Sequence, residues 1–284
     1  MGAPGCPQGA ARLTGMNSIA FIGGGNMASA LIGGLVRGGR PAAEILVVEP
    51  FEAQRDKLAQ AFGVAAQAAA DARLAGAGTV VWAVKPQLFG EAAAPCAAFV
   101  GHALQLSVMA GIRCDALIGA CGSHRVVRAM PNTPALIGCG IAGLYATPAV
   151  DAPSRSEVEA LFAPTGQSLW VAREEDLDAV TALSGSGPAY VFYFLEAMMQ
   201  AGAEMGLDAA QARQLAQATF AGAAALAAGS PLSPAELRAQ VTSKGGTTHA
   251  AITSLEHSGV GAAFVRALHA ARDRAEALGQ ISPA

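Results

Sequence analysis

"IAFIGGGNMASAL", residues 19–31, is a short apolar run that enters three consecutive glycines and leaves on a helical pattern. Gly23, Gly25 and Ala28 fit the spacing G-x-G-x-x-G/A. The first glycine permits a tight turn. The second lets the backbone approach a pyrophosphate, and the small third residue lets helix and strand pack closely. A helix that begins near Asn26 and Met27 aims its N–H groups and its positive dipole end at the phosphates. A lone glycine match is weak evidence. Here a strand precedes it, a helix follows, and a second apolar strand, EILVVE (44–49), comes next. That order is a dinucleotide-binding βαβ unit.

The same alternation continues outward. SIAFIG (18–23), EILVVE (44–49), TVVWAV (79–84), LQLSVM (104–109), HRVVRAM (124–130) and GIAGLYA (140–146) read as strands, with QSLWVA (167–172) as an edge strand. Amphipathic stretches such as FEAQRDKLAQAFG (51–63) and PQLFGEAAAPCAAF (86–99) lie between them. Continuously apolar strands alternating with helices indicate a mostly parallel sheet covered on both faces. After residue 180 or so the strand signals stop. AYVFYFLEAMMQAGAEMG (189–206) is apolar on nearly every side at its start, so a buried helix is expected. Asp208 is expected to cap a helix that ends on Gly229, and SPAEL (233–237) has the Ser233/Glu236 pattern of a capping box with Pro234 at the first helical position. A last helix is expected from about Val260 to Leu278, with Arg272 and Glu276 one turn apart.

The expected architecture is α/β: a loose tail over residues 1–16, a Rossmann-type dinucleotide-binding domain over 17–180, and an all-helical domain over 181–284. Met16, just before the first strand, is a candidate translation start, with an ordinary extension from Met1 as the alternative. A helical domain this small does not bury so many apolar faces alone, so a homodimer through these helices is expected. The composition agrees, with 52% hydrophobic, 14% charged and only 5% aromatic residues. The net charge of −3 provides no global attraction to nucleic acid or an anionic membrane. No apolar run has the length of a membrane span, and the start of the chain lacks the apolar core of a signal peptide. The five cysteines form no Cys-x-x-Cys or zinc spacing. The expectation is therefore a cytoplasmic protein with no metal site.

Ligands in such sheets bind beyond the carboxyl ends of the strands. WAVKPQ (82–87) puts Ala83, Val84, Lys85 and Pro86 at one such end, and RAMPNTP (128–134) puts Asn132 and Thr133 at another. Glu49 ends the second strand, where a carboxylate accepts hydrogen bonds from ribose hydroxyls and repels a 2′-phosphate. Arg55 and Lys57 lie nearby with charge for such a phosphate, so NADH and NADPH both stay open. In the helical half, VTSKGGTTHAAITSLE (241–256) sets Gly245 and Gly246 before Thr247 and Thr248, which start a helix. Free N–H groups at that start make a receptor for a carboxylate.

Taken in order, FIGGGNMASALIGGL (21–35), WAVKPQ, RVVRAMPNTPALIGCG (125–140), LSGSGPAYVF (183–192) and LRAQVTSKGGTTHAAITSLE (237–256) resemble the motifs of pyrroline-5-carboxylate reductases. The resemblance covers about residues 17–278. It implies hydride transfer from NADPH or NADH to the imine 1-pyrroline-5-carboxylate, giving L-proline in the last step of proline biosynthesis. It also implies intertwined dimers that assemble into larger rings. Carried onto this chain, it implies Thr248 as the residue that hydrogen-bonds the ring nitrogen. It implies Ser243, Gly245, Gly246 and Thr247 as the carboxylate turn, Lys85 and Pro86 near the nicotinamide, and Asn132 beside it. Lys244 stands where many members have proline, and Glu49 departs from members with small polar residues there. The alternatives are a β-hydroxyacid dehydrogenase, another imine-reducing oxidoreductase, or a dinucleotide sensor without catalysis. The first needs a lysine in the helix after residue 186, and that helix has none.

Overall fold

The computed structural model describes residues 18–280, and the tail expected over 1–16, with its candidate start at Met16, lies outside them. The eight strands are β1 (Ile19–Ile22), β2 (Ile45–Val48), β3 (Ala66–Gln67), β4 (Thr79–Trp82), β5 (Leu104–Ser107), β6 (Val126–Met130), β7 (Gly140–Ala146) and β8 (Gly166–Trp170). They form one sheet in the order β3-β2-β1-β4-β5-β6-β7-β8. All neighbours are parallel except the antiparallel pair β6 and β7. Seven strands are those expected from the sequence. The eighth, β3, is two residues long and lacks any β-branched or aromatic side chain, so no local pattern announces it.

The helices are α1 (Asn26–Arg37), α2 (Glu52–Phe62), α3 (Phe89–Ala93), α4 (Ala97–Val100), α5 (Cys114–Cys121), α6 (Ala152–Phe162), α7 (Asp176–Val180), α8 (Gly187–Glu204), α9 (Ala209–Gly229), α10 (Pro234–Gln240), α11 (Thr247–His257) and α12 (Val260–Gly279). The stretch read as one helix over 86–99 is instead a 3₁₀ turn followed by α3 and α4. Pro95 lies between the last two, where a continuing helix would need the N–H it lacks.

The chain divides into two compact units among the described residues: 18–186 with 271–280, and 187–270. In the sheet unit, alternate residues of β1 enter different cores. Ile19 and Phe21 join Leu31, Ile32 and Leu35 of α1 on one face, while Ala20 and Ile22 join Val80, Trp82 and Phe89 on the other. Strands buried on both faces have no polar alternation, which explains the continuous apolar runs. Trp82 satisfies its indole by donating from Nε1 to Gln105 Oε1 at 2.9 Å and meets Phe89 edge to face at 5.4 Å.

In the helical unit, Asp208 accepts from the Gln211 backbone N–H and Ser233 from that of Glu236. Both capping boxes are closed by the return bond from the third residue. Gly202 of α8 lies so close to α9 that an added Cβ would sit 2.9 Å from the Ala212 Cβ. Tyr190, Phe194 and Phe264 form an aromatic cluster with centroids 5.6–5.7 Å apart. The expectation that α8 is buried fails within one chain. Phe192 and Met198 are exposed and Tyr193 is 69% exposed, and Gly202 is the one residue of α8 that is fully covered. An apolar helix in a unit that spans only residues 187–270 has too little chain around it to cover every side. Arg272 and Glu276 lie one turn apart on α12 as expected, and Arg272 also binds Asp273 at 2.7 Å.

Candidate active site

Strand order reverses at β1, which has β2 on one side and β4 on the other. The glycine loop therefore sits at a topological switch point, beyond the carboxyl ends of parallel strands. Gly23 has φ +96°, and a Cβ there would meet the Ala83 carbonyl oxygen at 2.7 Å and Val84 Cγ1 at 3.0 Å. Only glycine combines this backbone conformation with this approach of β1 to the end of β4. Gly25 caps α1 without any side-chain hydrogen bond. A Cβ built on it meets nothing within 4 Å, so the loop is open on that side. Asn26 is exposed and Met27 is half-buried in the first turn of α1, whose N–H groups have no intrahelical partners. These residues fit a pyrophosphate: bare backbone, a helix N-terminus and room at the glycine.

Gly24 is held from both sides. Its N–H donates to Glu49 Oε2 at 2.8 Å, and its carbonyl accepts from Gln54 Nε2 and from Ser29 Oγ. Glu49 Oε1 accepts the Phe51 N–H at 2.9 Å, and the whole side chain is buried at the end of β2. Gln54 and Ser29 were not singled out by the sequence. Ser29 reaches the Gly24 carbonyl from the first turns of α1, whereas Gln54 touches it because β2 lies beside β1, and no local spacing encodes that second contact.

Because β4, β5 and β6 run parallel to β1, their carboxyl ends open on the same edge of the sheet. Ala83 and Val84 are half-buried there, Lys85 is exposed, and Pro86 starts the following 3₁₀ turn. Asn132 follows β6 on this edge. Its Oδ1 accepts the Ile141 N–H at 3.0 Å and its Nδ2 donates to the Ser184 carbonyl at 3.2 Å. The amide thus ties the loop after β6 to the π turn Thr181–Gly185, which holds the first three residues of LSGSGPAYVF.

In the helical unit, the second glycine cluster forms a turn into α11. Gly245 has φ +78°, and Gly246 is the N-cap, with no side-chain hydrogen bond. The Gly246 N–H donates to the Ser243 carbonyl at 3.0 Å. A Cβ at Gly246 would lie 2.8 Å from Ser243 Oγ, so the glycine lets that hydroxyl lie against the turn. Thr247 and Thr248 begin the helix, the first exposed and the second half-exposed. The turn brings together free backbone donors, one serine and two threonines, a set whose chemistry fits a carboxylate.

Among the described residues the free thiols add no nucleophile. Cys96, Cys114 and Cys121 are buried, and burial pushes the Cys96 thiol up to about 11 and the Cys121 thiol up to about 12. Cys114 is raised as well, by burial first and Glu174 second. All three are protonated at neutral pH. A cavity of about 520 Å³ bordered by Arg113, Glu174, Asp178 and Arg272 shares no residue with the glycine loop. Its walls carry ion pairs, among them Arg113–Asp178 at 2.6 Å.

Comparison with known proteins agrees with both halves. Residues 18–111 match the family model described as NADP oxidoreductase coenzyme F420-dependent, and residues 174–278 match pyrroline-5-carboxylate reductase dimerisation. The second match supports a dimer. A curated pyrroline-5-carboxylate reductase of Pseudomonas aeruginosa is 45% identical, over 92% of this chain and 98% of that protein. The solved structure of a pyrroline-5-carboxylate reductase from Coxiella burnetii is 34% identical, covers 93% of this chain and 99% of that one, and has a TM-score of 0.86. The pyrroline carboxylate reductase of Plasmodium falciparum, solved with NADP bound, is 26% identical, covers 93% and 98%, and has a TM-score of 0.84. With a glycine loop at the switch point and an uncapped glycine turn before α11, this chain belongs to the pyrroline-5-carboxylate reductase family, an oxidoreductase that uses NAD(P)H.

Proposed function

We propose that the two glycine-rich turns divide the reduction of 1-pyrroline-5-carboxylate to L-proline between them. The loop Gly23–Met27, with Glu49 and the Ala83–Pro86 turn, holds the dinucleotide. The turn Ser243–Thr248 holds the cyclic imino acid. When bound, reduced nicotinamide supplies the hydride. The observation that carries the reading is the start of α11, where a positive-φ glycine and a side-chain-free N-cap leave helix N–H groups facing outward. The carboxylate of the substrate is the anion that fits them.

The imine carbon is electron-poor once its nitrogen is protonated. The nitrogen then takes the C=N electron pair as the new C–H bond forms, and its proton is already in place. The chain's task is to fix the ring, and fixing reactants in this way can supply about 7–11 kcal/mol of a barrier. Thr248 is assigned to the ring nitrogen. Its hydroxyl both donates and accepts, and its high pKa suits orientation rather than proton transfer. Asn132 acts as a positioning residue, since its amide is taken up by Ile141 and Ser184.

Thr248→Ala is expected to lower kcat/KM by about tenfold or more, equivalent to about 1.4 kcal/mol. The Kd for dinucleotide should stay at the parent value, and Thr248→Ser should recover most of the rate. Initial rates with pyrroline-5-carboxylate, paired with calorimetric binding of the dinucleotide, check this. A Thr248→Ala enzyme with parental kinetics removes the residue from the mechanism.

We further propose that the exposed faces of α8 and α9, including Phe192, Tyr193, Met198 and Leu215, close against a second copy, and that dimers assemble into a ring. Light scattering should give a mass that is a multiple of at least two of the 28.4 kDa chain. A mass of one chain at micromolar concentration would sink the proposal. The compartment proposed is the cytoplasm. Among the described residues no helix is long and apolar enough to cross a membrane.

A further inference from the structure

The relative from Plasmodium falciparum was solved with NADP, yet the end of β2 in this chain is built differently from a phosphate site. Glu49 is 6% exposed and pinned by two backbone donors, the N–H groups of Gly24 and Phe51. Two such bonds hold the carboxylate in one place. A carboxylate has about four acceptor positions, and the two backbone donors use one on each oxygen, which leaves acceptor capacity for a pair of ribose hydroxyls. The cation nearest in sequence is tied to the turn itself: Arg55 Nη1 donates to the carbonyl oxygens of Glu49 at 3.0 Å and of Pro50 at 2.7 Å. The first turn of α2 adds a further acidic residue, Glu52. Between Glu49 and Glu52 stands Phe51, the N-cap of α2, whose ring is 70% exposed. A large apolar ring left in water directly beside a ribose-binding carboxylate offers a face for an adenine base.

Resting on the assignment of the glycine loop to the dinucleotide, we propose that Glu49 and Phe51 form an adenosine pocket that selects against a 2′-phosphate. Glu49 accepts the 2′- and 3′-hydroxyls and repels a phosphate ester at that position. Phe51 covers the base and is indifferent to the phosphate. Arg55 serves the turn rather than the ligand. The enzyme is therefore NADH-preferring within a family that has a member solved with NADP.

The test is calorimetric binding, with no turnover required, using NADH, NADPH, ADP and adenosine 2′,5′-bisphosphate. The parent chain should bind NADH more tightly than NADPH, and ADP more tightly than the bisphosphate, by about tenfold or more in each pair. Glu49→Ser should bring both ratios close to one. Phe51→Ala should weaken all four ligands alike and leave the ratios unmoved. Arg55→Ala should keep the parental ratios, which also tests the proposal if Glu49→Ser does not fold. Equal or reversed affinities in the parent, or a loss confined to NADPH and the bisphosphate in Arg55→Ala, would overturn it. Full affinity in Phe51→Ala removes the base contact. If the ratios hold and pyrroline-5-carboxylate is not turned over, the reductase reading fails while this one stands.

Discussion

Gly25→Ala should fold as stably as the parent and bind dinucleotide at least about tenfold more weakly. The two halves of that expectation come from one observation. The added methyl meets nothing within 4 Å, and Gly25 has φ −64°, a conformation open to any residue. Neither strain nor crowding then arises in the unliganded chain, and a small gain in stability from reduced unfolded-state freedom is in order. The space the methyl enters is the space a pyrophosphate needs to reach the first-turn N–H groups of α1. Gly23→Ala is the contrasting case. Its methyl would lie 2.7 Å from the Ala83 carbonyl oxygen at φ +96°, so it should lower both stability and affinity. Strain and overpacking each cost about 1–3 kcal/mol in such positions. Urea denaturation and calorimetry on the two variants separate the effects. Parental dinucleotide affinity in Gly25→Ala would falsify the pyrophosphate assignment.

Glu174→Ala should destabilise the chain by about 3–5 kcal/mol. The Arg128 side chain is 6% exposed in the middle of the sheet, and its Nη1 donates to Glu174 Oε1 at 2.7 Å. The same oxygen accepts the Cys114 N–H at 2.8 Å, at the start of α5. One carboxylate thus neutralises a buried cation of β6 and caps a helix whose own N-cap, Arg113, makes no side-chain capping bond. Removing it strands a buried guanidinium whose Nε already lacks a partner among the described residues. The double variant Arg128→Met with Glu174→Leu should regain most of the loss, because apolar groups of similar volume replace buried pairs at little cost. Urea midpoints measure both. A loss below about 1 kcal/mol in Glu174→Ala would mean that water already shares the pair.

Much of the site was legible from residues close in sequence. The caps at Asp208 and Ser233 are closed by groups three residues away, and the glycine turn into α11 is complete within residues 243–248. The loop at Gly23 was recognisable because its spacing is imposed by a turn, a phosphate approach and one helix–strand contact, all local. What stayed hidden depends on which distant groups meet. Arg55 stood in the sequence as one of two nearby cations with charge for a phosphate, and only the fold shows its Nη1 bonded to the carbonyls of Glu49 and Pro50. Asn132 looked like a ligand group, and its amide proves to be bonded across the fold to Ile141 and Ser184.

The sequence by itself determined the strand–helix alternation, the continuous apolar strands, the two glycine turns and the helical half, since each follows from backbone preferences and hydrophobic period over a few residues. Tertiary structure alone decided the order of the sheet, the two-residue β3, the clamp of Glu49 on Gly24 and the exposure of α8. The physical reason is that a side chain's long-range partner is chosen by competition among everything the folded chain brings within reach, and the winner is set by strand order and burial rather than by spacing along the chain.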